Sequence, residues 1–173
     1  MTSEYFNPLL GEVCWGIDWD PQLNLSMNFG RPHLRVREPR ETESKFKRIR
    51  DLYARRVVTL RGDWWLWIFC AYWKLSIRGK VAARGSSTPA AIKRALHLLK
   101  GQRLASVTID PRNGRTSLEF DLGASLEVRR FDNSGDSDMW LLYKPRNRVL
   151  SVRGNGTYSH LWGNQPAKHR AIR

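Results

Sequence analysis

The sequence predicts a mainly β protein: two tandem antiparallel β-modules related by internal duplication, forming a sandwich or split barrel, with one connecting helix near 88–100. Three observations predict it. First, residues 63–79 align without a gap on residues 138–154. They are identical at Asp63/Asp138, Trp65/Trp140, Leu66/Leu141, Leu75/Leu150, Ser76/Ser151, Arg78/Arg153 and Gly79/Gly154. Self-similarity of this kind marks a repeated unit. Second, apolar and polar residues alternate with period two across both copies, as in strands with one buried face. Third, the one clear stretch of helical spacing lies between the copies.

The elements follow in order. Residues 11–21 lie opposite residues 101–111, with Gly11/Gly101 and Asp20-Pro21/Asp110-Pro111 in register. Proline donates no ladder hydrogen bond, so each Asp-Pro pair ends a strand. Next, Leu23, Leu25, Met27 and Phe29 face one way in the first copy, as Leu118, Phe120 and Leu122 do in the second. Asn113-Gly114 is a hairpin signal, and Gly30 and Gly123 mark tight turns into the next strand. Leu34-Arg35-Val36-Arg37 lies opposite Leu126-Glu127-Val128-Arg129.

The copies differ most in the connection that follows. In the second it is a short acidic loop over 132–137. In the first it is a basic insertion, 38–56, where Phe46, Ile49, Leu52 and Tyr53 fall at helical spacing. That pattern allows a short amphipathic helix or a disordered basic loop. The apolar run 64–73 is about half the roughly 20 residues that a membrane-spanning helix needs, so it reads as a buried strand. Thr88 can cap the connecting helix, Pro89 suits its first turn, and Gly101 ends it. Ile92, Ala95, Leu96 and Leu99 form its apolar stripe. The modules are thus 11–84, including the insertion, and 85–162, including the helix, with 163–173 as a flexible basic tail.

Of the 173 residues, eight are Trp, most of them expected in the core, and the formal net charge is +14. Between Asp63 and Asp110, and again after Asp138, no acidic residue occurs. Such a surface should attract polyanions or an acidic protein in a salt-dependent way. Residues 1–5 lack a signal-peptide pattern, and Cys14 and Cys70 read as two reduced core thiols of a cytoplasmic protein. No metal-ligand spacing accompanies them.

Chemistry-bearing motifs are sparse. There is no glycine-rich phosphate loop and no Gly-x-Ser-x-Gly, so no cofactor and no catalytic residue is assigned. Asp20 and Asp110 occupy equivalent positions and read as Asx turns, with a paired-carboxylate site as the alternative. Asp63 and Asp138 read as structural residues entering the Trp strands. Of the four histidines, His160, beside Tyr158 after the last strand, is the one of interest, and His169 lies in the tail. The partner-binding candidates are Lys45, Lys47, Arg48, Arg50 and Arg55 in the insertion. Arg78 and Arg153 join them, at hairpin turns that would form a common rim.

The spacing of the Asp-Pro, Phe/Leu-Gly, Leu-x-Val and Trp-Leu blocks over 11–160 resembles uncharacterised bacterial β-rich proteins, including immunity-type families that neutralise toxins. The resemblance implies a small stoichiometric binder and carries no catalytic residues. The basic charge departs from what an inhibitor of a basic nuclease needs, so the target would be acidic. The function expected is therefore a non-enzymatic binding module for an acidic protein. The alternative is a nucleic-acid-binding β-protein that uses basic residues interleaved with aromatics at 64–80 and 140–153.

Overall fold

A computed structural model of the chain describes residues 5–22, 24–131, 136–163, 165–166 and 168–172. Leu23 of the first alternation, 132–135 of the acidic loop and 1–4 at the start lie outside them. In chain order the strands are β1 (Cys14–Trp19), β2 (Leu25–Phe29), β3 (His33–Arg37), β4 (Val57–Arg61), β5 (Trp64–Ile68), β6 (Ala71–Ile77) and β7 (Lys80–Arg84). The second half holds β8 (Leu104–Ile109), β9 (Thr116–Phe120), β10 (Ala124–Arg130), β11 (Asp138–Lys144), β12 (Arg148–Arg153), β13 (Thr157–Trp162) and β14 (Arg170–Ala171). Helix α1 (Lys47–Tyr53) lies between β3 and β4, and α2 (Pro89–Leu99) joins the halves.

The first hairpin of each half is fixed by the same turn chemistry. Asp20 Oδ1 accepts the Gln22 N–H at 2.8 Å, and Asp110 Oδ1 accepts the Arg112 N–H at 2.9 Å. Both aspartates are therefore Asx-turn residues between paired strands, as their position before proline suggests. The halves also bond to each other reciprocally. Gly11 N–H donates to Leu104 O and Gly101 N–H to Cys14 O, while Leu104 N–H donates to Glu12 O and Cys14 N–H to Gln102 O. Exchanging Gly11 with Gly101, Glu12 with Gln102 and Cys14 with Leu104 maps this set onto itself, about the Val13–Arg103 bridge.

The duplication persists in strand order, but not in the register read from the Trp blocks. The larger sheet runs β1-β2-β5-β11-β12-β13-β14 and the smaller β7-β6-β10-β9-β8, all neighbours antiparallel. Read from the first hairpins inward, β1-β2-β5 then β11-β12 answers β8-β9-β10 then β6-β7. Each sheet starts with three strands of one half and continues with strands of the other. On this order β5 corresponds to β10, not to β11. Instead, β5 and β11 are adjacent in one sheet, where Leu66 pairs with Leu142 and Trp65 with Tyr143. Trp65 and Trp140 therefore occupy unrelated environments: Trp140 is 1% exposed in the core, whereas Trp65 is half-buried on the outer face.

Neither sheet closes, so the layout is a sandwich and not a barrel. Leu66, Ile68 and Trp140 of the larger sheet enclose one small cavity with Val107, Thr116, Leu118 and Val128 of the smaller. Trp140 Nε1–H donates to Thr116 Oγ1 across the gap at 2.9 Å. The connecting helix forms as its sequence dictates. Thr88 Oγ1 accepts the Ala91 N–H, Pro89 opens the first turn, and Ile92, Ala95, Leu96 and Leu99 are buried. The helix packs on β6 and β7.

Several expectations are corrected. The run 64–73 is not one strand. It turns at Phe69-Cys70, with Cys70 at φ 50, and passes from the larger sheet to the smaller. Cys70 is exposed, so only Cys14 is a core thiol, and burial pushes that thiol up to about 12. Leu122 lies in the turn after β9 and is exposed. His160 lies within β13. In the 163–173 segment, β14 pairs with β13 and Ile172 is buried.

Candidate binding surfaces on the arm and the outer sheet face

Where the second half turns directly from β9 into β10, the first half inserts residues 31–62 between β2 and β5. This segment is an arm: the two-stranded ribbon β3-β4, which among the described residues pairs with no other strand, and α1 between its strands. Its root is tightly built. Gly30 has φ 76, and a Cβ on Gly62 would collide with the Phe29 carbonyl. Asn28 is buried and bridges the root to β1: Nδ2–H donates to Gly16 O at 2.9 Å, and Oδ1 accepts the Gly62 N–H at 3.0 Å. Trp15 Nε1–H donates to Gly30 O at 2.9 Å, and Asp63 Oδ2 accepts the Arg31 N–H at 3.0 Å. Asp63 is thus a structural residue, as expected.

The arm is amphipathic, and its apolar face points out. Leu34 pairs with Leu60 and Val36 with Val58, so four aliphatic side chains share one face of the ribbon. They are 68%, 55%, 49% and 54% exposed, respectively. The opposite face carries His33, Arg35, Arg37 and Arg61 with Val57 and Thr59, and four of these six are half-buried, His33 and Arg35 being exposed. The expected equivalence of residues 34–37 with 126–129 is therefore overturned: Leu126 and Val128 lie in the core, whereas Leu34 and Val36 face solvent.

The insertion is helical only over α1, and its expected apolar stripe is not buried. Phe46 and Leu52 are exposed, while Ile49 and Tyr53 are half-buried. Tyr53 holds the tip together: the guanidinium of Arg40 lies 4.4 Å and that of Arg37 5.0 Å from its ring centroid. Arg37 also donates to Leu52 O at 2.7 Å. Lys45, Lys47, Arg48, Arg50 and Arg55 are all exposed at this tip, so the structure brings these five candidates together. Lys47 pairs with Asp51 at 2.9 Å, and Arg50 donates to the carbonyls of Ser44 and Lys45.

Arg78 and Arg153 do not join them or share a rim. Arg78 sits at positive φ in the exposed β6–β7 turn. Arg153 ends β12 and is tied to Asp138, Nε to Oδ1, at 3.4 Å.

A second surface lies on the outer face of the larger sheet, and its aromatics fall within the 64–80 and 140–153 stretches in which the sequence interleaves aromatic and basic residues. Along β5, Trp64, Leu66 and Ile68 face the core, which turns Trp65, Trp67 and Phe69 outward. Their rings stack: Trp65 on Trp67 at 5.9 Å and 5°, Trp67 on Phe69 at 4.5 Å and 26°, and Trp65 on Tyr143 of β11 at 4.8 Å and 23°. The Arg61 guanidinium lies 4.0 Å from the Trp65 ring centroid. Burial lowers the Arg61 pKa, and the neighbouring Arg35 lowers it further, against smaller opposing effects of Asp18 and Tyr143. Burial raises the Tyr143 pKa, partly offset by Arg35 and Arg61. Among the described residues, neither Arg35 nor Arg61 has a carboxylate within ion-pair distance. Arg61 Nε and Trp65 Nε1 are buried there without an acceptor.

Two histidine clusters lie elsewhere on the larger sheet. His160 stacks edge-on against Tyr5 at 4.7 Å, and burial, then Lys144 and Arg148, lowers its pKa. Ser151, His169 and Asp138 meet, but not as a proton relay. His169 Nε2 is 2.9 Å from Asp138 Oδ1 and 3.3 Å from Ser151 Oγ. Both contacts use one ring nitrogen, whereas a relay needs the carboxylate and the hydroxyl on different nitrogens. The cluster fastens β14 to the sheet. Among the described residues no group of three metal-ligating side chains occurs, and no helix is long and apolar enough to cross a membrane. No family model matches the chain, and neither a curated protein nor a solved structure is similar to it.

Proposed function

We propose that the protein is a non-enzymatic binding module whose arm holds an acidic protein partner. The observation that carries this reading is the inverted arm. A two-stranded ribbon alone is marginal in water, and a contiguous exposed aliphatic patch is a mark of an interaction surface. Burying Leu34, Val36, Val58 and Leu60 against a partner would contribute on the order of 1–2 kcal/mol per side chain. The partner's charge follows from what surrounds the patch. Residues 31–62 hold eleven Lys or Arg and four Asp or Glu. A second copy would bring the same basic arm against itself, and like charges in contact are disfavoured. A nucleic acid would satisfy the charge but leave the aliphatic face bare. Stoichiometric capture of a protein is also what the resemblance to immunity-type families implies.

The test places a photo-crosslinking amino acid at Leu60 of the full chain in its host cells and identifies the product by mass spectrometry. The captured protein is then purified and titrated calorimetrically. An acidic protein, bound about tenfold or more weakly by the Leu34→Ser/Leu60→Ser variant, is the expected result. A basic partner, or an acidic one whose affinity is indifferent to that variant, overturns the reading.

A further inference from the structure

The outer aromatic face is separate from the aliphatic face of the arm and calls for a different ligand. We propose that it binds single-stranded nucleic acid, with bases stacking at the Trp67–Phe69 end of the ladder and phosphates drawn to Arg35 and Arg61. The core does not need these rings, because Trp64, Leu66 and Ile68 already fill the inner side of β5. A row of four outward aromatics next to cationic side chains is the combination by which single strands are held without sequence preference.

Among the described residues no carboxylate lies within ion-pair distance of Arg35 or Arg61, and the effect of Asp18 on Arg61 is smaller than that of Arg35. Arg35 is exposed beside the ladder, and phosphate oxygens are strong acceptors for an accessible guanidinium. An acidic peptide could satisfy the arginines but would make little use of the ring stack. A duplex keeps its bases stacked on one another and cannot offer them.

The test uses the full chain and a fluorescein-labelled mixed-sequence DNA strand of about 12 nucleotides, within the span that one such module covers. Polarisation is read between about 50 and 200 mM salt. The strand should bind more tightly than the matching duplex, with affinity falling as salt rises. Trp67→Ala should weaken binding about 5- to 150-fold, and Arg35→Ala should reduce the salt slope by about one. The thermal melts of both variants should stay close to that of the parent protein.

Four outcomes would overturn the proposal: no binding at low salt, equal affinity for the duplex, binding indifferent to Trp67→Ala, or displacement by polyglutamate as effectively as by unlabelled strand. The protein-partner reading is tested separately, because Trp67→Ala should leave crosslinking through Leu60 unchanged.

Discussion

Replacing Asn28 by Ala should loosen the arm from the body. The Asn28 side chain is buried and satisfies two backbone groups of different segments, the Gly16 carbonyl and the Gly62 N–H. Its removal strands both. A buried donor or acceptor left unpaired costs about 1–3 kcal/mol, so the pair together predicts a loss of about 2–6 kcal/mol. For a domain of this size 1 kcal/mol moves the melting temperature by about 2–4 °C, giving a fall of about 4–24 °C. Thermal and urea melts of the purified variant measure it. Limited proteolysis supplies a second readout, because a loosened root should speed cleavage within 31–62 before the sheets are cut. Asn28→Asp keeps the acceptor for Gly62 but loses the donor to Gly16 and buries a charge, so it should not rescue stability. A melting temperature within about 2 °C of the parent for Asn28→Ala would refute the claim that this residue anchors the arm.

Other expectations follow from the same geometry. A thiol reagent at pH 8 should modify Cys70 rapidly and Cys14 only after denaturation, because Cys70 is exposed and the Cys14 thiol is held near 12. Burial alone would raise the Glu127 pKa, but hydrogen bonds from Arg115 and Lys74 outweigh it and hold the carboxyl below its usual value. Its stabilising effect is therefore complete above the unfolded carboxylate range, about pH 4.3, and is lost as pH falls through the lower folded value. Urea melts from neutral to acid pH should show Glu127→Gln less stable at neutrality by up to about 1 kcal/mol, with a flatter acid limb. Replacing His169 by Ala breaks the contacts to Asp138 and Ser151, so trypsin should cut first at Lys168 or Arg170, earlier than in the parent.

Sequence revealed the parts in which local chemistry dictates the residue. An Asp before Pro closes the same Asx turn in both halves, and Gly11 and Gly101 mark equivalent points of a reciprocal hydrogen-bond set. Thr88, Pro89 and the Ile92–Leu99 stripe mark a helix by cap, first turn and apolar spacing, all local in sequence. The misreadings share a cause: period two says which residues share a face, but not whether that face is inner or outer. Leu34-x-Val36 and Leu126-x-Val128 have the same pattern, yet one pair faces solvent and the other the core. The run from Trp64 to Phe69 is apolar at every position, so nothing in it separates the core side from the stacked outer side. Asp63/Asp138 and Trp65/Trp140 align in sequence, yet β5 and β11 are adjacent strands of one sheet, Trp65 faces out and Trp140 faces the core, and nothing in the structure explains the match. The contact of Asp138 with His169 joins residues 31 apart across β11, β12 and the tail, and no local pattern announces it.

The inside-out arm is tested most directly by the melting temperature of the full chain carrying Leu34→Ser, Val36→Thr, Val58→Thr and Leu60→Ser together. Side chains that touch solvent contribute within about 0.5 kcal/mol each, and Thr suits a strand. The variant should therefore melt within a few degrees of the parent and aggregate less. A cooperative loss of more than about 10 °C, the size expected when several core side chains are truncated, would mean that these residues hold the fold together and are not kept for a partner.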